Sequence, residues 1–170
     1  QTTLPNFDTG LSTFNDLSIF SENRFSGGDR IGDANQLTAA VSTRFFRQDN
    51  GHELFSATAG ELFYFSNRQV TLPGQSIDTT PRSSLFGTIS IAPDQYWRLR
   101  GDLQWNTEQS HTEIGNARLQ YKPEKDNVVN LDYRFQRNTL RTYGASTAWR
   151  FNPSWRVLAG HQFDVQNDHK

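Results

Sequence analysis

From residue 36 to residue 165 the chain repeatedly alternates small or apolar residues with polar ones, a period of two that belongs to strands with two unlike faces. The segment 97 to 106 shows it most plainly. Trp97, Leu99, Gly101, Leu103 and Trp105 form one face, and Arg98, Arg100, Asp102, Gln104 and Asn106 form the other. The same alternation predicts strands at 36–46, 53–65, 83–92, 112–122, 128–137, 141–151 and 155–165, with a less regular one at 11–20. Short turn signals separate most of them: Asp49-Asn50-Gly51, Pro93-Asp94, Pro123 to Asn127, and Asn152-Pro153-Ser154. Residues 66–82, with Pro73, Gly74 and Pro81, predict one long loop. The result is an all-β chain, an antiparallel meander of about nine strands without a helix or a solenoid repeat. One strand has a flaw. The odd face of 53–65 runs Phe55, Ala57, Ala59, Glu61, Phe63, and Glu61 spoils it, so a β-bulge near Gly60 is expected to shift the phase by one residue.

The ends of the apolar faces bear on what those faces meet. Trp97 and Trp105 bracket their strand over roughly 26 Å, or about 20 Å along a membrane normal at a barrel-like tilt, close to the band between the aromatic girdles of an outer-membrane barrel. Trp149 and Trp155 lie at other strand ends. Small residues such as Gly101, Gly115, Ala117 and Ala145 on the same face suit fluid acyl chains better than a dense core. The opposite face carries Arg98, Arg100, Asp102, Arg118, Asp132 and Arg134 and would line a wet lumen. With the register reversed, those arginines would enter lipid at roughly 2–4 kcal/mol each near the midplane. The alternation also fits a soluble antiparallel sheet with one wet face, a sandwich or a lipid-binding barrel. An odd strand count and two unpaired edges point to part of a larger barrel wall.

Composition agrees with a diluted apolar pattern. Only 34% of the 170 residues are hydrophobic while 13% are aromatic, and Met and Cys are absent. No run of about 18 apolar residues could form a transmembrane helix, a limit that does not apply to strands. The 17 basic and 18 acidic residues balance without a charged block, so nothing predicts nucleic-acid binding. Absent cysteines leave no disulfide framework or thiolate site. The start at Gln1 and the polar tail from Gln166 to Lys170 suggest an excerpt or a processed chain.

Candidate chemistry is sparse. His52, His111, His161 and His169 share no metal spacing, and Ser110 beside His111 is weak evidence for a hydrolase. No cofactor, metal site or enzymatic role is expected. The most distinctive stretch is the loop from Asn23 to Asn35, where Arg24, Asp29, Arg30 and Asp33 alternate in sign among glycines. Asp29, Asp33 and Asn35 lack the spacing and bidentate Glu of a calcium loop, so ion pairs with Arg24 and Arg30 inside the loop are the simpler expectation.

That loop, NRFSGGDRIGDAN, with the following QLTAAVSTRFF, GELFYF (Gly60 to Phe65) and YWRLRGDLQW (Tyr96 to Trp105), closely resembles the C-terminal barrel of the LptD (OstA/Imp) family of lipopolysaccharide-assembly outer-membrane proteins. The resemblance implies that residues 1–170 are the central part of a large transmembrane β-barrel in the outer membrane of a Gram-negative bacterium. The family's periplasmic jellyroll domain and first and last barrel strands lie outside this stretch. It further implies lipopolysaccharide as substrate, a lipoprotein plug (LptE) in the lumen, outer-membrane lipid around the wall, and periplasmic transport-bridge proteins reached through the jellyroll domain. The charged loop is then expected outside the membrane, folded into or over the lumen and held by mutual and wall charges. The luminal arginines would guide phosphorylated sugars or hold neighbouring carboxylates. A porin or small-solute channel and a soluble sheet-binding module are the alternatives.

Overall fold

The computed structural model of the chain describes residues 10–11, 20–21, 23–27, 30–33 and 35–165. Two short strands, β1 (Gly10–Leu11) and β2 (Phe25–Ser26), pair with each other. Eight more form one antiparallel sheet: β3 (Gln36–Phe46), β4 (Glu53–Tyr64), β5 (Leu85–Ile91), β6 (Trp97–Asn106), β7 (His111–Glu124), β8 (Asn127–Gln136), β9 (Leu140–Asn152) and β10 (Trp155–Asp164). Each strand pairs only with its neighbours in sequence, which makes the sheet a pure meander. The predicted strand at 11–20 falls almost wholly outside the described residues. The other eight predicted strands match observed ones to within two residues at each end.

Register follows the alternation. One row runs Phe55–Ile91–Leu99–Leu119–Leu131–Ala145–His161 across seven strands, and the row two residues along β4 runs Ala57–Ile89–Gly101–Ala117–Tyr133–Tyr143–Phe163. The neighbouring polar row passes through Ser90, Arg100, Arg118, Asp132 and Gly144. A one-residue slip would exchange the two faces completely, so the pattern pins the pairing.

The sheet is sheared as a barrel wall must be. The row through Phe135 lies one residue from the end of β8 and reaches Ala59, five residues from the end of β4, four strands away. Four residues of rise over four inter-strand spacings correspond to roughly 13 Å along and 19 Å across, a tilt of about 35° from the line of strand ends.

The two ends of the sheet differ. Tight connections at 47–52, 92–96, 125–126 and 153–154 join the strands at one end. The first closes through Gly51, whose φ of 69° suits glycine, with its amide donating to the Arg47 carbonyl. The other end carries the 65–84 loop and the approach to β3, besides short turns at 107–110 and 137–139.

The expected bulge at Gly60 is not there. Pairing of β3 with β4 runs unbroken from Gln36–Tyr64 to Phe45–Phe55 and shifts only at the hairpin, beyond Phe45. Glu61 therefore stays on the apolar face opposite Ala39. Gly60 serves close packing instead. A Cβ there would come within 2.5 Å of a Phe86 ring carbon and 2.8 Å of both the Ala39 carbonyl oxygen and the Ala40 Cβ. The ring of Phe86 thus lies across bare backbone, an arrangement only glycine permits.

Candidate functional site

The two faces of the sheet differ in chemistry and in cover. Leu37, Val41, Phe45, Leu99, Leu103, Leu131, Tyr143, Val157 and Phe163 all share the apolar face and are all exposed, Val41 to 77%. Their middle is a shallow trough over Ala57, Ala59, Gly87, Gly101 and Ala117. Trp97 packs on Tyr121 with ring centroids 4.4 Å apart near the tight-turn end, where Trp149 also lies. Trp105 stands at the loop end, and Trp155 is exposed beyond a register shift beside the last tight turn.

On the opposite face the predicted charged residues do come together. Arg100 faces Arg118 directly across β6 and β7, and Arg118 faces Asp132 across β7 and β8. Like charges opposite each other are unfavourable, and neighbouring carboxylates offset this. Arg118 Nε bonds Asp132 at 2.5 Å, and Arg100 meets Asp102 more loosely at 3.4 Å. Amide and hydroxyl groups continue the network: Gln120 donates to Asn130, and Asn130 donates to Ser146. Arg98, Arg100 and Arg118 line one hollow of about 480 Å³ with Glu53, Ser90 and Gln120. Arg134 and Asp102 line a neighbouring hollow with Arg118 and Asp132. At the tight-turn end Arg150 binds Asp126 at 2.7 Å, and this bond holds the exposed Asp126 carboxyl below its ordinary range.

The charged loop bonds to the second long loop. Arg24 donates to the Val70 carbonyl, Arg30 donates to the Thr71 carbonyl at 2.9 Å, and the Asp33 carboxylate accepts from the amides of Gln69 and Val70 at 2.6 and 3.2 Å. Its partners among the described residues are therefore backbone groups of the second long loop, in addition to side chains within its own turn. Asn23 Oδ1, for example, receives the amides of Phe25 and Gly32. Asp29 lies outside the described residues. Arg30 is only 2% exposed and Phe25 4%, so the two loops pack tightly together.

The second loop has its own centre, which sequence inspection did not find. Arg68 is buried, with its guanidinium 3.5 Å from the Tyr64 ring centroid and bonds to Asp78 and Thr80. Burial disfavours the Asp78 carboxylate, yet the Arg68 and Thr80 donors outweigh it and hold the pKa below the usual aspartate value. Beneath lie Leu62 and Phe86, both on the face that carries the charged residues, with Tyr64 against them. Apolar residues at two polar-face positions flanking a long loop were the available signal that something folds back over that face.

Other candidates stay scattered. Among the described residues no cluster of three or more His, Cys, Asp or Glu side chains could hold a metal ion. His111 rests against the Gln109 carbonyl and His52 against that of Ala92.

A family model described as LptD: LPS transport system D matches residues 1–155. Among curated proteins, the LPS-assembly protein LptD of Nitrosococcus oceani is 35% identical over 158 residues, covering 93% of this chain and 21% of that protein. The protein of the same name from Pseudomonas aeruginosa (strain UCBPP-PA14) is 38% identical over 203 residues, covering 99% of this chain and 22% of its own length. That of Azoarcus sp. (strain BH72) is 38% identical over 176 residues, with 99% and 21% covered. The chain thus spans about a fifth of the length of the curated relatives it matches.

Proposed function

The chain belongs to the LptD family, and from that premise we propose that residues 1–170 are a central stretch of wall in an outer-membrane β-barrel that assembles lipopolysaccharide into the outer leaflet of a Gram-negative bacterium. The observation that carries this is the sheared eight-strand meander with an apolar face on which most large side chains are exposed or half-buried, and a charged opposite face. Such a sheet is stable only where lipid covers one side and water or polar groups the other. Outer-membrane barrels keep short turns in the periplasm and longer loops outside, which assigns the end bearing 23–35 and 65–84 to the cell surface.

In this role the wall performs no bond chemistry. The polar face is the interior through which the sugar portion of the substrate passes, and against which a lipoprotein plug, LptE in this family, is seated. The periplasmic transport bridge delivers through a domain outside residues 1–170. Arg100 and Arg118 are engaged by Asp102 and Asp132, whereas Arg98 has no carboxylate partner among the described residues and is the group best placed to meet phosphorylated sugar. The interlocked loops close the outer mouth above them.

The test is depletion of the full-length parent in its host, with complementation by wild type or by Arg98→Gln. Lipopolysaccharide reaching an outer-leaflet modifying enzyme should fall on depletion, return with wild type and return incompletely with Arg98→Gln. Undiminished surface lipopolysaccharide together with lost uptake of small solutes would replace this reading with a porin.

A further inference from the structure

Two arginines break the apolar face in the same way. Arg82 pairs with Phe63 in an isolated bridge, and its guanidinium carbon lies 6.0 Å from the Phe63 ring centroid. Arg141 lies next to Phe135 across β8 and β9, with its guanidinium carbon 5.4 Å from that ring. Phe63 and Phe135 both share the face of Leu37, Gly115 and Trp105. Both arginines are exposed, and neither has a carboxylate partner among the described residues. Both lie at the loop end, Arg141 one residue inside β9 and Arg82 three residues before β5. The shear of the sheet brings these strand ends to one level, the level of Trp105.

We propose that Arg82 and Arg141 are two outward-facing contacts for phosphate groups of the lipid that surrounds the barrel in the outer leaflet. This rests on the assignment of the apolar face to lipid and of the loop end to the cell surface. A guanidinium stacked on a ring keeps its N–H edge free, and that planar edge matches phosphate oxygens in pairs. An unpaired arginine on a lipid face is costly in hydrocarbon but not at the interface, where phosphates lie. The acidic groups nearby do not compete for it. Glu113 is taken by Ser84 and Asn106, and Asp164 belongs to the polar face opposite Thr142. Glu61, on the apolar face below Phe63, forms no ion pair with Arg82. The two arginines stand four strands apart, about 19 Å, so each serves a different lipid molecule.

The experiment uses the full-length parent in its complex, reconstituted in phosphatidylcholine vesicles, in a variant whose only tryptophan is Trp105. Brominated phosphatidic acid or brominated phosphatidylcholine is added in trace amounts and quenching of Trp105 gives their relative affinities for the wall. Phosphatidic acid, a phosphate monoester, is expected to be preferred about three- to five-fold. The preference should fall to near parity in Arg82→Gln/Arg141→Gln and persist in part in Arg82→Lys/Arg141→Lys. Retention of the full preference in the glutamine pair overturns the proposal. Quenching by neither lipid overturns the membrane assignment beneath it. Native mass spectrometry of phosphatidic acid bound to the unmodified-tryptophan complex, with and without the glutamine substitutions, gives the same comparison if the single-tryptophan variant fails to fold.

Discussion

Gly60→Ala is the smallest change that tests how the loops are anchored to the wall. The new methyl group would meet the Phe86 ring at 2.5 Å, the Ala39 carbonyl oxygen at 2.8 Å and the Ala40 Cβ at 2.8 Å. Phe86 is 1% exposed, so its ring cannot move aside without opening the Leu62 cluster, and Ala39 is held by the β3–β4 ladder. Neither contact yields cheaply, which sets the cost at about 2–3 kcal/mol, the upper part of the range for overpacking. The same cluster ties down the second loop, because Ser83 exchanges hydrogen bonds with the Leu62 backbone and the Tyr64 amide donates to Pro81. Protease cleavage within 66–84 of the folded parent, followed in detergent, should therefore accelerate roughly 30- to 140-fold where it tracks the open population. Phe86→Ala alone should cost about 3–5 kcal/mol. Because that substitution removes the closest clash, the double variant should cost at least about 1 kcal/mol less than the sum. Unchanged cleavage in Gly60→Ala, or strict additivity in the double variant, would refute the role given to the ring.

Three further outcomes are expected. Asp33→Ala removes the acceptor of two backbone amides and should cost about 1.5–3 kcal/mol per charge-assisted bond lost at most, seen as faster hydrogen exchange at Gln69 and Val70 with no change in the strands. Asp78 is held below its ordinary pKa of 3.8 by Arg68, so its contribution is complete above that value and is lost as pH falls through the lower folded value. Protease sensitivity of 66–84 should therefore be flat above about pH 5 and rise below about pH 3.8, a rise that Arg68→Gln abolishes. Ile89→Arg and Thr88→Arg place the same charge on opposite faces of β5. Unfolding by urea in lipid vesicles should show a loss of about 2–4 kcal/mol for the first and within about 0.5 kcal/mol for the second, and equal losses would remove the case for a membrane wall.

Strand order, register and the division into two faces were legible because alternation leaves little freedom. Once Trp97 to Trp105 is placed, a one-residue slip in β5 or β7 could set Thr88 or Arg118 opposite Gly101, between Leu99 and Leu103. That Arg100, Asp102, Arg118 and Asp132 share one face followed from the alternation, whereas which of them pair is set by the observed register. What stayed hidden has a common physical cause. The bonds that Arg24, Arg30 and Asp33 make to residues 69–71 go to main-chain groups, which look the same at every residue and leave no mark in a sequence. The Arg68–Tyr64–Asp78 centre combines common residue types at spacings that no regular element dictates. Gly60 was misassigned because a glycine beside a phase error suits a bulge, and only the Phe86 ring shows that a close approach is the reason.

The departures from alternation are as informative as the alternation itself. At the loop end the polar face turns apolar, with Leu62 and Phe86, while the apolar face turns charged, with Glu61, Arg82 and Arg141. In a soluble sheet these would be independent blemishes, since one face stays wet and the other dry along the whole strand. In a wall that crosses a bilayer the solvent on both faces changes at the same height. Outside, the hydrocarbon gives way to an interface that accepts guanidinium groups, and inside, the water gives way to folded loops that need apolar contact. The opposite sense of the two exchanges, at matching strand ends of a sheet tilted by about 35°, is what a single membrane boundary would impose on both sides of one wall.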